Sequence, residues 1–268
     1  MTCRICENDV RRLFEARCLR KHTIQYFYCD NCGFLQTEKP FWLEEAYREP
    51  INETDTGILS RNLYLFNVTS TLITFLFDKK GVFLDYAGGH GILTRLMRDS
   101  GFNFYWYDPY TNNMFSRGFE FNENVGKVDL VTCYEAFEHF VQPIAEIDRL
   151  LSISSNLLFT TEFLPSPVPL PAEWWYYGLE HGQHISFYSL KTVSYIAKRY
   201  GMNLYTDNKF VHLLTKKKIN AYAFKAILKM SSLGLGYLTR LFLTSKTISD
   251  MDHLISSQSK RDTGQTVG

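Results

Sequence analysis

Val82-Phe83-Leu84-Asp85-Tyr86-Ala87-Gly88-Gly89-His90-Gly91-Ile92-Leu93-Thr94 is an apolar run that ends in an acid, meets a glycine cluster and opens an amphipathic segment reaching about Arg98. That order predicts a buried parallel strand, a tight turn, and a helix whose N-terminus faces the turn. Glycine is required where a ligand lies against bare backbone, because a Cβ would obstruct it. A dinucleotide turn needs Gly-x-Gly-x-x-Gly, yet Gly89-His90-Gly91 is followed by Ile92, Leu93 and Thr94, so the third glycine is missing. An acid at the strand end would repel a pyrophosphate, whereas it suits an ammonium group. The turn therefore points to a cationic, amino-acid-like cofactor, S-adenosylmethionine.

Toward the C-terminus, Phe104-Tyr105-Trp106-Tyr107 is a second apolar run, and it ends in Asp108-Pro109, with Asp108 23 residues after Asp85. That distance is one strand–helix–strand unit, and an acid at the second strand's tip is where a ribose diol is gripped. Residues 128–134 and 156–161 read as further strands, with a helix over 144–151 between them. Strands and helices alternate four times, which predicts an α/β fold. Its sheet is doubly wound, mostly parallel and Rossmann-like, with ligand at the strand C-terminal ends.

Toward the N-terminus, Cys3-x-x-Cys6 and, after 22 intervening residues, Cys29-x-x-Cys32-Gly33 supply four thiolates. Paired knuckles of this kind suit a tetrahedral structural zinc on a small β ribbon, with no open position for substrate. Cys18 and Cys133 are unpaired by spacing and read as ordinary buried thiols. Residues 41–80 form a helical preface that could cover the cofactor cleft, with Tyr47 and Arg61 as cleft contacts and an acidic, polar stretch from Glu49 to Thr56.

A chain that is 45% hydrophobic and 16% aromatic supports a packed core and excludes a disordered class. A net charge of +1 gives no electrostatic case for nucleic acid. Met1-Thr2-Cys3-Arg4 lacks the apolar run of a signal peptide, so the expectation is a cytoplasmic protein.

Together these residues resemble the class I S-adenosylmethionine-dependent methyltransferases, over roughly residues 80–215. The resemblance implies that Ala87, Gly88, Gly89 and Gly91 line the methionine portion, that Asp85 acts on its ammonium directly or through water, and that Asp108 and the adjoining Pro109 face the ribose. Tyr134-Glu135 through Glu138-His139 matches the segment that lies beside the methionine chain and methyl group. A narrower likeness is to sugar-modifying members, including deoxysugar C-methyltransferases. These begin with a cysteine-rich zinc segment and carry a histidine stretch similar to Glu180-His181-Gly182-Gln183-His184-Ile185-Ser186-Phe187-Tyr188-Ser189. This chain departs from them in lacking their second large C-terminal domain, and in having Val211-His212-Leu213 where His-Gly-Gly is expected. Those departures shift the expectation from carbon to oxygen.

Four prolines lie between Pro165 and Pro171, which makes an extended loop leading into Trp174-Trp175-Tyr176-Tyr177. Four adjacent aromatics could form a wall for a sugar ring, or pack as core. His184 is the expected general base, with His181 second and His139 a loop-ordering residue. Ser186 and Ser189 are candidate helix caps. Residues 216–243 combine Lys216-Lys217-Lys218 with a helical stretch over 221–243, which could pack on its own domain, on a second subunit as a homodimer, or on a membrane surface. Residues after Ser256 read as a frayed tail.

The expected organisation is therefore a zinc ribbon over 1–40, the preface over 41–80, a methyltransferase domain over 81–218, and a helical C-terminal segment over 219–268. The expected activity is O-methylation of a sugar hydroxyl in glycan or nucleotide-sugar biosynthesis. The alternatives are a sugar C-methyltransferase, or a non-catalytic module that binds through the ribbon.

Overall fold

The computed structural model describes residues 1–48 and 55–262; most of the acidic stretch read from Glu49 lies outside the described residues. The first half contains β1 (Arg11–Cys18), β2 (His22–Tyr28), β3 (Leu35–Thr37), α1 (Leu43–Ala46), α2 (Ile58–Leu76), β4 (Val82–Tyr86), α3 (Ile92–Asp99) and β5 (Asn103–Tyr107). The second contains β6 (Leu130–Cys133), α4 (Pro143–Ile153), β7 (Asn156–Thr160), β8 (Ser186–Phe187), α5 (Leu190–Arg199), β9 (Asn203–Thr206), β10 (Val211–Thr215), α6 (Ala221–Ser231) and α7 (Thr247–Asp262). The described chain divides into two compact units, Met1–Thr56 with Leu130–Lys225, and Gly57–Asp129 with Ala226–Gly268.

The first unit holds two sheets. In one, β6 and β7 run parallel, and β10 is antiparallel to both β7 and β9. Strands β6 and β10 are buried at every position, their polar members Thr132, His212 and Thr215 included. The other sheet has the order β1-β2-β3-β8, antiparallel throughout. The N-terminal ribbon therefore takes its fourth strand from residues 186–187, far along the chain. Tyr26, Leu35, Trp42, Trp174, Tyr177 and Phe187 pack into the core on that sheet.

Ser186 is thus a strand residue and not a cap: its hydroxyl donates to the Phe140 carbonyl at 2.7 Å. Ser189 caps α5 in a reciprocal box with Thr192, satisfying a first-turn amide that the helix itself cannot.

In the second unit β4 and β5 pair in parallel, opposing Asp85 to Trp106. The helical stretch expected over 221–243 is broken. Helix α6 ends at Ser231, and a 3-10 turn takes over at Leu235–Leu241. Gly234 at φ +75° makes the break, and Gly236 lies so close to Ser70 and Asn67 of α2 that a side chain there has no room. Helix α7 continues through Asp262, beyond the point where fraying is expected, and the tail after it lies outside the described residues. No helix among the described residues is long and apolar enough to cross a membrane.

Helix α7 is fixed by charge. Asp250 accepts Arg98 Nε at 2.8 Å and Nη2 at 2.6 Å, and Arg95 Nη1 lies 3.0 Å away. The Arg98 guanidinium also lies 3.6 Å over the Phe119 ring. Burial alone would raise the Asp250 carboxyl, but the two guanidinium groups prevail and hold it below the ordinary carboxylate range. Its stabilisation is therefore present above the unfolded-state carboxyl value and is lost as pH falls through the lower folded-state one. Asp250→Asn leaves the buried side chain of Arg98 without its bidentate partner. It should cost about 3 kcal/mol in urea unfolding near neutral pH, with the deficit shrinking in acid.

Candidate active site

After β4 the backbone turns through left-handed residues: Ala87 at φ +59°, Gly89 at +53° and Gly91 at +83°. A non-glycine residue is uncommon in that region, so Ala87 marks a site where the surroundings impose the turn. A Cβ on Gly88 would sit 2.8 Å from Trp106 Cδ1 and 2.9 Å from Asp85 Oδ2. The turn is closed by the Gly91 amide on the Gly88 carbonyl at 2.9 Å, and tied to β5 by the Gly88 amide on the Tyr107 carbonyl at 3.2 Å. Trp106 Nε1 donates to the Gly89 carbonyl at 2.9 Å.

Asp85 is buried beneath the turn, where its Oδ2 accepts the Thr94 hydroxyl of α3 at 3.0 Å. Asp108 is half-buried and joins two turns. Its Oδ2 accepts the Gly89 amide at 2.9 Å, and its Oδ1 accepts the amides of Tyr110 at 2.8 Å and Thr111 at 2.9 Å. A carboxylate has about four acceptor positions, so these three bonds leave it capacity for a ligand hydroxyl. Pro109 next to it is exposed. The glycine cradle and the two acids fit a cofactor with an ammonium group and a ribose diol.

In the other unit, Tyr134 is buried at the end of β6. Glu135 has φ +50°. Its amide donates to Thr160 Oγ1 at 2.9 Å, and that hydroxyl donates back to Glu135 Oε1 at 2.9 Å, which folds the carboxylate onto its own turn.

Three histidines gather nearby in the same unit. The His139 and His184 ring centroids are 4.9 Å apart, and those of His181 and His184 4.7 Å, both edge to face. His184 Nδ1 lies 2.6 Å from the Tyr176 carbonyl. A carbonyl only accepts, so this nitrogen carries the proton and Nε2 presents its lone pair. His181 has the opposite arrangement: its Nδ1 accepts the Gln183 amide at 3.2 Å, placing the neutral ring's proton on Nε2. His139, expected only to order a loop, meets the Tyr47 hydroxyl at 2.9 Å on Nδ1 and gives a ring N–H to the Gln183 backbone. Burial lowers all three imidazoles, His139 to about 4 and His184 well below the ordinary value; His139 and His181 further disfavour a charge on His184, and His181 disfavours one on His139. Glu138, His139 and His184 bring donor atoms within 4.8 Å of one another, but the His139 nitrogens are already engaged.

The loop is built to hold this cluster. Gly178 at φ +59° has no space for a Cβ, which would lie 2.5 Å from the His181 ring. Trp42 Nε1 donates to the Gly182 carbonyl at 2.8 Å, and the Gln183 side chain donates to the Ala46 carbonyl at 2.9 Å. The expected aromatic wall is mostly core. Trp174, Tyr176 and Tyr177 are buried, whereas Trp175 is 75% exposed. The buried tyrosines are admissible there because each hydroxyl has a partner, Tyr177 on the Pro169 carbonyl at 2.8 Å and Tyr176 with Thr161 Oγ1 at 3.3 Å. His212 is also structural, with Nε2 2.9 Å from the Thr161 carbonyl and its ring stacked on Phe163.

Cys3, Cys6, Cys29 and Cys32 converge with their sulfurs within 4.8 Å of one another. The closest pairs are Cys3–Cys32 at 3.5 Å and Cys6–Cys29 at 3.4 Å. A disulfide needs about 2.05 Å, whereas a tetrahedron with bonds of about 2.3 Å separates its sulfurs by roughly 3.8 Å. The Ile5 amide points at Cys3 Sγ, and the Asn8 and Asn31 side chains point at Cys6 Sγ, at 3.4–3.5 Å, as suits thiolates. The donor set fits zinc.

Residues 61–206 match the family described as a methyltransferase domain, which is more than half of the 268-residue chain. The chain belongs to that family, and it is a class I S-adenosylmethionine-dependent methyltransferase. No curated protein matches it by sequence. Among solved structures it is similar to magnesium protoporphyrin IX methyltransferase from Synechocystis with bound S-adenosylhomocysteine, at 15% identity, covering 65% of this chain and 94% of that one, with a TM-score of 0.41. It is also similar to an O-methyltransferase family protein from Burkholderia thailandensis, at 17% identity over 65% and 66% of the two chains, TM-score 0.46. A third likeness is human N-acetylserotonin methyltransferase, at 15% identity over 66% of each, TM-score 0.41.

The Gly88 contacts give a direct test of the turn. Gly88→Val forces side-chain atoms into Trp106 and Asp85, and should weaken S-adenosylhomocysteine binding by calorimetry at least tenfold, about 1.4 kcal/mol.

Proposed function

We propose that the protein methylates a sugar hydroxyl, with His184 as general base and the four cysteines holding a structural zinc. The observation that carries the reading is the His184 tautomer: Nδ1 donates to the Tyr176 carbonyl at 2.6 Å, so Nε2 is the basic nitrogen. S-adenosylmethionine supplies an electrophilic methyl group on a sulfonium. On this reading Ala87, Gly88, Gly89 and Gly91 cradle the methionine portion, Asp85 acts on the ammonium directly or through water, and Asp108 accepts from the ribose. Pro109, Tyr134 and Glu135 are assigned to the cofactor by the family resemblance.

His184 Nε2 would take the acceptor hydroxyl's proton as the oxygen gains its bond to the methyl carbon, the carbon–sulfur bond breaking with its electron pair going to sulfur to leave S-adenosylhomocysteine; a positioned base of this kind contributes about 10²–10⁴-fold. His181 suits that role less, because its neutral tautomer carries the Nε2 proton. Its part is to keep His184 neutral. The Tyr176 carbonyl holds the ring orientation as the charge forms. Support for a sugar comes from Trp175, the one ring of the four-residue aromatic run that offers an exposed face to the apolar side of a pyranose.

His184→Ala, assayed with labelled S-adenosylmethionine against a panel of sugars and nucleotide sugars, should lower turnover about 10²-fold or more and leave S-adenosylhomocysteine affinity within about twofold. Near-normal turnover would remove His184 from the role. Because burial lowers the His184 imidazole well below its ordinary value, the base is unprotonated throughout the neutral range. Turnover should therefore be flat near neutrality and fall only in acid, below the usual imidazole titration. Elemental analysis should find about one zinc per chain, with Cys29→Ser losing it; a full-length, metal-free protein of unchanged stability would defeat the zinc assignment.

A further inference from the structure

We propose that Arg4 is a positioning residue for the acceptor side of the reaction, coupling the four-cysteine centre to the loop that carries His184. Arg4 lies between Cys3 and Cys6, so zinc ligation on both sides would fix its backbone. Its amide donates to Gln36 Oε1 at 2.8 Å, and the Gln36 side chain donates to the Thr2 carbonyl at 3.1 Å. From this anchored knuckle the guanidinium reaches inward. Nη2 donates to the carbonyls of Thr37 and Ile185, each at 2.9 Å, and Nη1 lies 3.5 Å from that of Val141.

Ile185 directly follows His184, and its peptide is held on every side. Its carbonyl also accepts the Thr37 amide at 3.1 Å, and its amide donates to the Glu138 carbonyl, beside His139, at 2.9 Å. Arg4 therefore acts where the ribbon, the His184 loop and the turn bearing His139 meet at the backbone of one residue, Ile185. A planar guanidinium can bridge several carbonyls at once, which the point charge of a lysine cannot. A tetrathiolate zinc centre would be anionic, and that charge would favour the half-buried guanidinium beside it. Metal, arginine and loop thus form one connected device, and a loose knuckle would loosen the base.

The inference rests on the reading of His184 as the base. The test uses the full chain, purified with zinc, as Arg4→Lys and Arg4→Gln, observed by NMR of isotope-labelled histidine rings. Zinc content and S-adenosylhomocysteine calorimetry are measured alongside. Both variants should keep about one zinc and cofactor-product affinity within about twofold, while the His139 and His184 ring signals shift and the His184 titration midpoint moves up by about one pH unit. The lysine variant should fall between wild type and the glutamine variant. Unmoved His139 and His184 signals in both variants would overturn the proposal, and so would loss of zinc in both, which would reduce Arg4 to a builder of the centre. Ring signals report position whichever group takes the proton, so unimpaired turnover in His184→Ala would defeat the base assignment without producing either of these results.

Discussion

The backbone of Ile185 ties the N-terminal ribbon and the turn after β6 to the loop that carries His184. Its amide is bound to the Glu138 carbonyl, while its carbonyl takes both the Thr37 amide and the Arg4 guanidinium. A buried peptide must satisfy both of its polar groups, and a lost partner costs about 1–3 kcal/mol. Here the partners come from the ribbon and from the turn after β6. Neither element can move from the loop without leaving a buried polar group bare. That explains why a strand of only two residues, Ser186–Phe187, completes a four-stranded sheet.

That same clamp sets the chemistry of the histidines. His184 has an imidazole centroid within 5 Å on each side, His139 and His181, and burial disfavours the charged form of all three rings. Neutrality alone does not make a base; the proton must also be on the right nitrogen. The Tyr176 carbonyl makes that choice for His184, and the Gln183 amide makes the opposite choice for His181. Two rings of one residue type, three positions apart, acquire different capacities from the main chain alone.

What could be read from sequence was what is local. The strand, glycine turn and helix over residues 82–99 obey near-neighbour rules, and the four cysteines identify themselves by spacing. Ser189 was legible as a cap because its partner, Thr192, lies three residues on. Ser186 looked equivalent, but its partner is Phe140, which periodicity cannot reveal. The same limit hid the pairing of Arg98 with Asp250, 152 residues apart, and that of Arg4 with Ile185, 181 apart. His139 was legible as a residue that orders a loop, but its neighbours were not: its place beside His184 and Tyr47 comes from three chain segments meeting. The aromatic run was ambiguous because composition shows ring area and not the hydroxyl partners that let Tyr176 and Tyr177 enter the core.

The lowered imidazole carries a final consequence for mechanism. If His184 is the base for a sugar hydroxyl, as proposed, a weak base would not ionise that hydroxyl in advance, and proton transfer would accompany formation of the oxygen–carbon bond. Basicity then matters less than alignment, since a base out of line contributes nothing when the oxygen becomes acidic. For such a site, rigidity is the catalytic resource. The chain spends its left-handed Gly178, the Trp42 bond to the Gly182 carbonyl, the Gln183 anchor on Ala46 and the Ile185 clamp on one loop. Three of those four constraints come from the N-terminal 46 residues. On the proposed reading, the ribbon would be the part of this chain that converts a cofactor-binding fold into an acceptor site.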